Sequence, residues 1–167
     1  MGEQRFGFAI VNVGSENALK AELGRLVPAA RPAFARPGLV TFKHDAADAG
    51  FAADSIIARV RGLSIGMAKS AEEVLARVDA HGKGPFVLHV FARDASDEGP
   101  LPADDARAVE LDRELREKGG DRFAAHTEAR VGDRVIDVVV AGDEPMLVGV
   151  HQHRRDYWPM AGGRPHL

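Results

Sequence analysis

The chain opens on an apolar run, Phe6 to Val13, broken only by Gly7 and Asn12, which is the pattern of a buried strand. Gly14-Ser15 supplies a turn and an N-cap. Glu16 to Leu26 then reads as a helix, with Leu19, Leu23 and Leu26 on one face and Pro28 just past its end. Ala33 to Arg36 and Leu39 to Phe42 read as an extended pair around Pro37-Gly38. Ala46 to Val60, rich in Ala and Ile, reads as a helix, and Gly62 to Ala68 as a strand. Residues 1–69 therefore spell strand, helix, strand, strand, helix, strand, the order of a ferredoxin-like βαββαβ unit.

The second part, 70–153, begins with a capping box. In Ser70-Ala71-Glu72-Glu73 the serine oxygen can accept the amide three residues on, and Glu73 can reach back. The helix that follows places Val74, Leu75 and Val78 on one face with Ala71, and Gly82 and Gly84-Pro85 stop it. Phe86 to Phe91 reads as a strand and Asp94 to Pro102 as a polar loop. Ala103 to Lys118 reads as a charged helix with a thin apolar stripe of Val109, Leu111 and Leu115, closed by Gly119-Gly120. Arg134 to Ala141 and Met146 to His151 form a hairpin around Gly142-Asp143. Residues 152–167 lose all periodicity and read as a linker or extended arm. The fold class expected is α+β: a ferredoxin-like unit followed by a second α/β domain.

Composition narrows the function. The chain of 167 residues has no cysteine, which removes disulfides, cysteine-based zinc sites and cysteine nucleophiles and fits a cytoplasmic location. Its apolar runs fall far short of a membrane span. The net charge of −3 is unevenly spread. Residues 1–69 carry three more Lys and Arg than Asp and Glu, residues 70–150 carry eight fewer, and the tail is basic again.

The search for chemistry finds absences first. No Gly-rich cofactor loop, Walker sequence or nucleophile elbow occurs, and Gly82-Lys83-Gly84-Pro85 is simplest as a helix stop. His151 and His153, two apart on a strand, share a face and could share a metal, but no third ligand sits at motif spacing. His89 alternates with apolar residues and reads as structural. The tail is richer. Arg154-Arg155 can pair with phosphates, and Tyr157-Trp158 holds the one Tyr and the one Trp of the chain. Arginine beside aromatic rings suits single-stranded RNA, though a lone Trp is also commonly buried for packing. Arg59, Arg61 and Lys69 form a second basic group, equally readable as ordinary surface.

Together these residues resemble the N-terminal region of bacterial large-subunit rRNA 2′-O-ribose methyltransferases of the FtsJ-like M type. Phe8 to Leu23 is similar to the family's opening strand and helix. Phe34-Ala35-Arg36 with Leu39-Val40-Thr41-Phe42 is similar to its hairpin, and Ile56-Ile57-Ala58-Arg59 to an aliphatic-aromatic-Ala-Arg stretch. Ile136 to Val140 and Val148-Gly149 resemble its closing THUMP strands, and Trp158 to Leu167 the approach to its catalytic domain. The tail departs from the family in placing Arg164 before Pro165 and His166 where Arg is frequent.

The resemblance implies a ferredoxin-like subdomain (1–69), a THUMP-like RNA-binding domain (70–153) and a linker (154–167) toward the chain's own C-terminal methyltransferase domain. It implies no cofactor in this chain and S-adenosylmethionine in the full-length protein, whose catalytic residues would lie beyond Leu167. The partner implied is RNA, in particular large-subunit rRNA. Arg59, Arg61, Lys69, Arg154, Arg155 and Arg164 would meet phosphates, and Tyr157 and Trp158 would stack on bases. A rival from another class is a ligand-sensing or dimerising ferredoxin-like module, which fold alone does not exclude.

Overall fold

The computed structural model describes residues 5–44, 55 and 57–153. They build seven strands and three α-helices, a mixed α/β architecture. These elements are distributed over two compact units.

The first unit holds the described residues up to Ser64, together with Asp94–Gly99. Its strands are β1 (Arg5–Ile10), β2 (Arg31–Arg36), β3 (Leu39–His44) and the start of β4 (Val60–Ala68), in the order β2-β3-β1-β4. Every pair is antiparallel: Phe8 lies opposite Thr41 on one side and Gly62 on the other. Helix α1 (Glu16–Leu26) lies on one face, where Leu19, Leu23 and Val27 join Ala9, Val11, Val40 and Phe42 in a core. Leu26, expected on that apolar face, is exposed, and Val27 takes its place. One residue on, the chain leaves the helical repeat with φ −137°, which turns Val27 inward.

Ser15 stands at the N-cap position but makes no side-chain cap. The adjacent Glu16 carboxylate instead accepts the amides of Gly14 (2.8 Å) and Gly38 (2.9 Å), which ties the turn after β1 to the β2–β3 turn. Burial drives the Glu16 carboxyl upward, and the amides of Gly38, Glu16 itself and Gly14 together more than reverse this and hold it below its ordinary range. The helix expected over Ala46 to Val60 falls largely outside the described residues. Its last residue is a correction: Val60 already begins β4, and Ser55 Oγ accepts the Ala58 amide (2.9 Å) in a turn that precedes the strand.

The second unit holds residues 65–93 and 100–153. Its strands β5 (Val87–Ala92), β6 (Arg134–Val140) and β7 (Met146–Gln152) lie in the order β7-β6-β5. The β6–β7 hairpin is antiparallel, with Val138 opposite Val148. The β5–β6 pair is parallel, with Leu88 opposite Ile136. Parallel neighbours need a long crossover, and helix α3 (Pro102–Gly119) lies within it. Helix α2 (Ala71–His81) and α3 cover one face, burying Val74, Val78 and Leu115 against Phe86, Leu88, Ile136, Val138 and Val148.

The α2 cap is made as the sequence led one to expect at the serine: Ser70 Oγ accepts the Glu73 amide at 3.2 Å. The return bond goes one residue further back, from the Lys69 amide to Glu73 (2.7 Å). In α3 the buried face is Ala108, Leu115 and Gly119 with Leu111 beside it, and Val109 is 73% exposed. Ala108 holds the inward position by helical spacing, so the adjacent Val109 must turn about 100° away. No described helix is long and apolar enough to cross a membrane.

Candidate nucleic-acid interface

The three cations singled out on the body of the chain have different surroundings. Arg59, half-buried just before β4, donates its backbone N–H to Ile10 and its guanidinium to Asp94 at 3.2 Å. Asp94 opens the polar loop 94–99, so this ion pair fastens that loop within the first unit. Arg61 lies opposite Ala9 and is half-buried. Cross-strand partners point to the same side of a sheet, so Arg61 extends over the face that carries α1. Lys69 is exposed, one residue before the Ser70 cap. Arg59 and Arg61 thus share the first unit and Lys69 belongs to the second. Arg154, Arg155, Tyr157, Trp158 and Arg164 lie outside the described residues.

The cations of the second unit are largely committed to carboxylates. Arg113 pairs with Glu110 and, at 2.8 Å, with Glu117, and Lys118 pairs with Glu114 (2.7 Å) and Glu72. Arg122 grips Asp79 through two bonds of 2.7 and 2.9 Å. These ladders give the α2–α3 surface alternating charge, and such exposed pairs add little stability. Arg134, at the start of β6, bonds the Lys83 carbonyl (2.7 Å) and lies 4.6 Å from the centre of the Phe86 ring.

Strands β1 to β4 differ from this. They carry Arg5, Arg31, Arg36, Lys43 and Arg61, and no Asp or Glu. The local excess of positive charge in the N-terminal part is therefore concentrated on strands, where side chains stand out from the sheet at fixed spacing.

One polar constellation was not singled out from the sequence. Asp137, at the centre of β6, is completely buried. Its two carboxylate oxygens accept from His89 Nδ1 on β5 (3.0 Å) and from His151 Nδ1 on β7. An ionised carboxylate can only accept, so both imidazoles carry their proton on Nδ1 toward it. Burial by itself drives the Asp137 carboxyl upward, and the two histidines more than reverse this and hold it down to about 2. His151, weighed as a metal ligand with His153, has its Nδ1 engaged here. Among the described residues no group of three or more His, Asp or Glu is placed to hold a metal. The signal available was a lone carboxylate in the otherwise apolar run Val135 to Ala141.

No family model matches the chain. No curated protein matches it either. Solved structures do. The chain superposes on a protein described as a possible methylase from Clostridium difficile 630 with a TM-score of 0.51 and 16% identity, covering 89% of this chain and 41% of that one. It superposes on TrmN from Thermus thermophilus with a TM-score of 0.56 and 16% identity, covering 90% of this chain and 46% of that one. The chain thus spans less than half the length of both, and at this identity what it shares with them is the fold.

Proposed function

We propose that this chain is the RNA-recognition part of an RNA-modifying methyltransferase. The observation that carries the proposal is the pattern of coverage. Nearly all of the chain matches a possible methylase and TrmN, while each of those continues for more than its own length again. The shared part would then hold the substrate and the remainder would carry the chemistry. In this reading residues 1–69 are the ferredoxin-like subdomain, 70–153 the THUMP-like domain and 154–167 the linker.

The residues present do not fit S-adenosylmethionine. The turn after β1 carries one glycine, and the Glu16 carboxylate already takes its amide and that of Gly38. The cofactor belongs, in this proposal, to the C-terminal methyltransferase domain, and no step is assigned to residues here. RNA as the substrate class is supported by the resemblance to rRNA methyltransferases and by the carboxylate-free strands β1 to β4. Ribose 2′-O-methylation and large-subunit rRNA as the target rest on the sequence resemblance alone. Arg59, Arg61, Lys69, Arg154, Arg155 and Arg164 remain the proposed phosphate contacts, with Tyr157 and Trp158 as stacking residues. For Arg59, a phosphate would compete with Asp94.

The test is fluorescence anisotropy of the purified chain with labelled large-subunit rRNA fragments at low salt. The expected result is binding that weakens steeply as salt rises, because phosphate contacts release counterions. Absence of binding at low salt would overturn the proposal, and a stable dimer without RNA affinity would favour the dimerising module.

A further inference from the structure

The first unit presents one sheet face away from α1. On it the register aligns Arg31, Lys43 and Phe6 across β2, β3 and β1, and then Phe34, Thr41 and Phe8. Thr41 and Phe8 are buried, so the accessible part is an L-shaped margin: Arg31, Phe34 and Arg36 down the edge strand β2, and Lys43 and Phe6 across its end. The two rings are solvent-exposed, Phe6 by 37% and Phe34 by 39%. Each has a cation above it: Lys43 Nζ lies 5.8 Å from the Phe6 centroid and the Arg36 guanidinium 5.5 Å from that of Phe34. The informative feature is the pairing: two partly exposed rings on one margin, each with its own cation in cation–π range. Phe34 is also held in place: the Thr41 hydroxyl bridges its backbone N–H (3.2 Å) and carbonyl (3.3 Å) where a bulge shifts the register.

From this juxtaposition we infer that the Phe6–Phe34 margin, with Arg31, Arg36 and Lys43, is a contact site for single-stranded RNA, on the sheet face opposite the one over which Arg61 extends. The chemistry is specific to unstacked bases. A duplex buries its base faces in its own stack, whereas a single strand offers them to aromatic side chains. The rings sit two strands apart and two residues along, roughly 12 Å by ordinary strand spacing and rise, so each can take its own base. A base that settles on a ring displaces the cation to the side, where the phosphates of the same strand run. The absence of any carboxylate on β1, β2 and β3 leaves nothing on those strands to repel that backbone.

The inference rests on the proposed RNA-recognition role, and the experiment separates the two. The intact chain is titrated into a short, unstructured, fluorescein-labelled RNA and, separately, into an RNA duplex. Phe6→Ala and Phe34→Ala are expected to weaken single-strand binding roughly fivefold to hundredfold each. Phe34→Trp, which keeps a stacking surface, retains wild-type affinity or better, and this rules out misfolding as the cause. Arg36→Gln and Lys43→Gln lower the salt dependence, while Arg113→Gln on α3 changes nothing. If the wild-type chain binds RNA and both Ala variants bind it unchanged, the site is overturned and the recognition role stands. An equal loss on the duplex also overturns it. If the wild-type chain binds no RNA, both fall.

Discussion

Asp137 and His151 are bonded side chain to side chain across the β6–β7 pair, with Asp137 wholly buried. Truncating the histidine would leave a buried carboxylate with only the half-exposed His89 as partner. His151→Ala is therefore expected to destabilise the chain by about 3 kcal/mol in urea unfolding, because the cost is that of an uncompensated charge. His89→Ala costs less, since water reaches that side of the pair.

The same carboxylate sets a pH dependence. Its folded pKa lies at about 2, below the ordinary 3.8. The stabilisation is therefore complete above the unfolded value and is lost as pH falls toward 2. Relative to Asp137→Asn, the wild-type chain should lose about 2 kcal/mol between neutral pH and pH 2. The measurement is urea unfolding of both proteins over that range, and a constant difference would contradict it.

Gly84 and Gly82 predict opposite outcomes two residues apart. A Cβ on Gly84 would lie 2.3 Å from the Arg122 carbonyl oxygen, which also accepts the Phe86 amide at 2.9 Å. Backbone cannot swing aside, so Gly84→Ala is expected to cost about 2 kcal/mol. Gly82 has nothing within 4 Å, and its φ of 161° is extended backbone open to any residue. Gly82→Ala should change stability by about 0.5 kcal/mol or less. Thermal unfolding of the pair reads the contrast.

Ser70→Ala removes the oxygen that accepts the Glu73 amide at the start of α2. The expected loss is about 1 kcal/mol, seen as a lower urea midpoint with an unchanged slope. Ser15→Ala, at a position where the serine makes no side-chain cap, should leave the midpoint nearly unmoved.

If the tail arginines meet phosphates as proposed, replacing Arg154 and Arg155 with Gln reduces the slope of log affinity against log salt by roughly one unit per lost contact. An unchanged slope would assign RNA binding to the body of the chain alone.

The order of elements was legible in the sequence because its signals are local. Alternation and apolar runs mark β1, β3, β6 and β7, and Leu19 and Leu23 mark the inner face of α1. The serine and glutamate of Ser70–Glu73 mark the start of α2. A period of 2 or 3.6 is a property of neighbours, and so is a cap. Where one residue decides between two faces, as with Leu26 against Val27 or Val109 against Ala108, the local pattern is not enough, because the neighbouring element chooses which side is covered.

The tertiary structure alone decided what depends on register between distant segments. The sequence showed that Gly84 and Pro85 stop a helix, but not that the Arg122 carbonyl lies against Gly84. It showed an aspartate within β6, but not the two histidines that converge on it from β5 and β7. Phe6, Lys43, Phe34 and Arg36 are scattered over the first forty-three positions, and only the β2-β3-β1 pairing brings them to one margin of one face. A sheet built from long-range pairs makes its sites by register, and register is not written in any one of its strands.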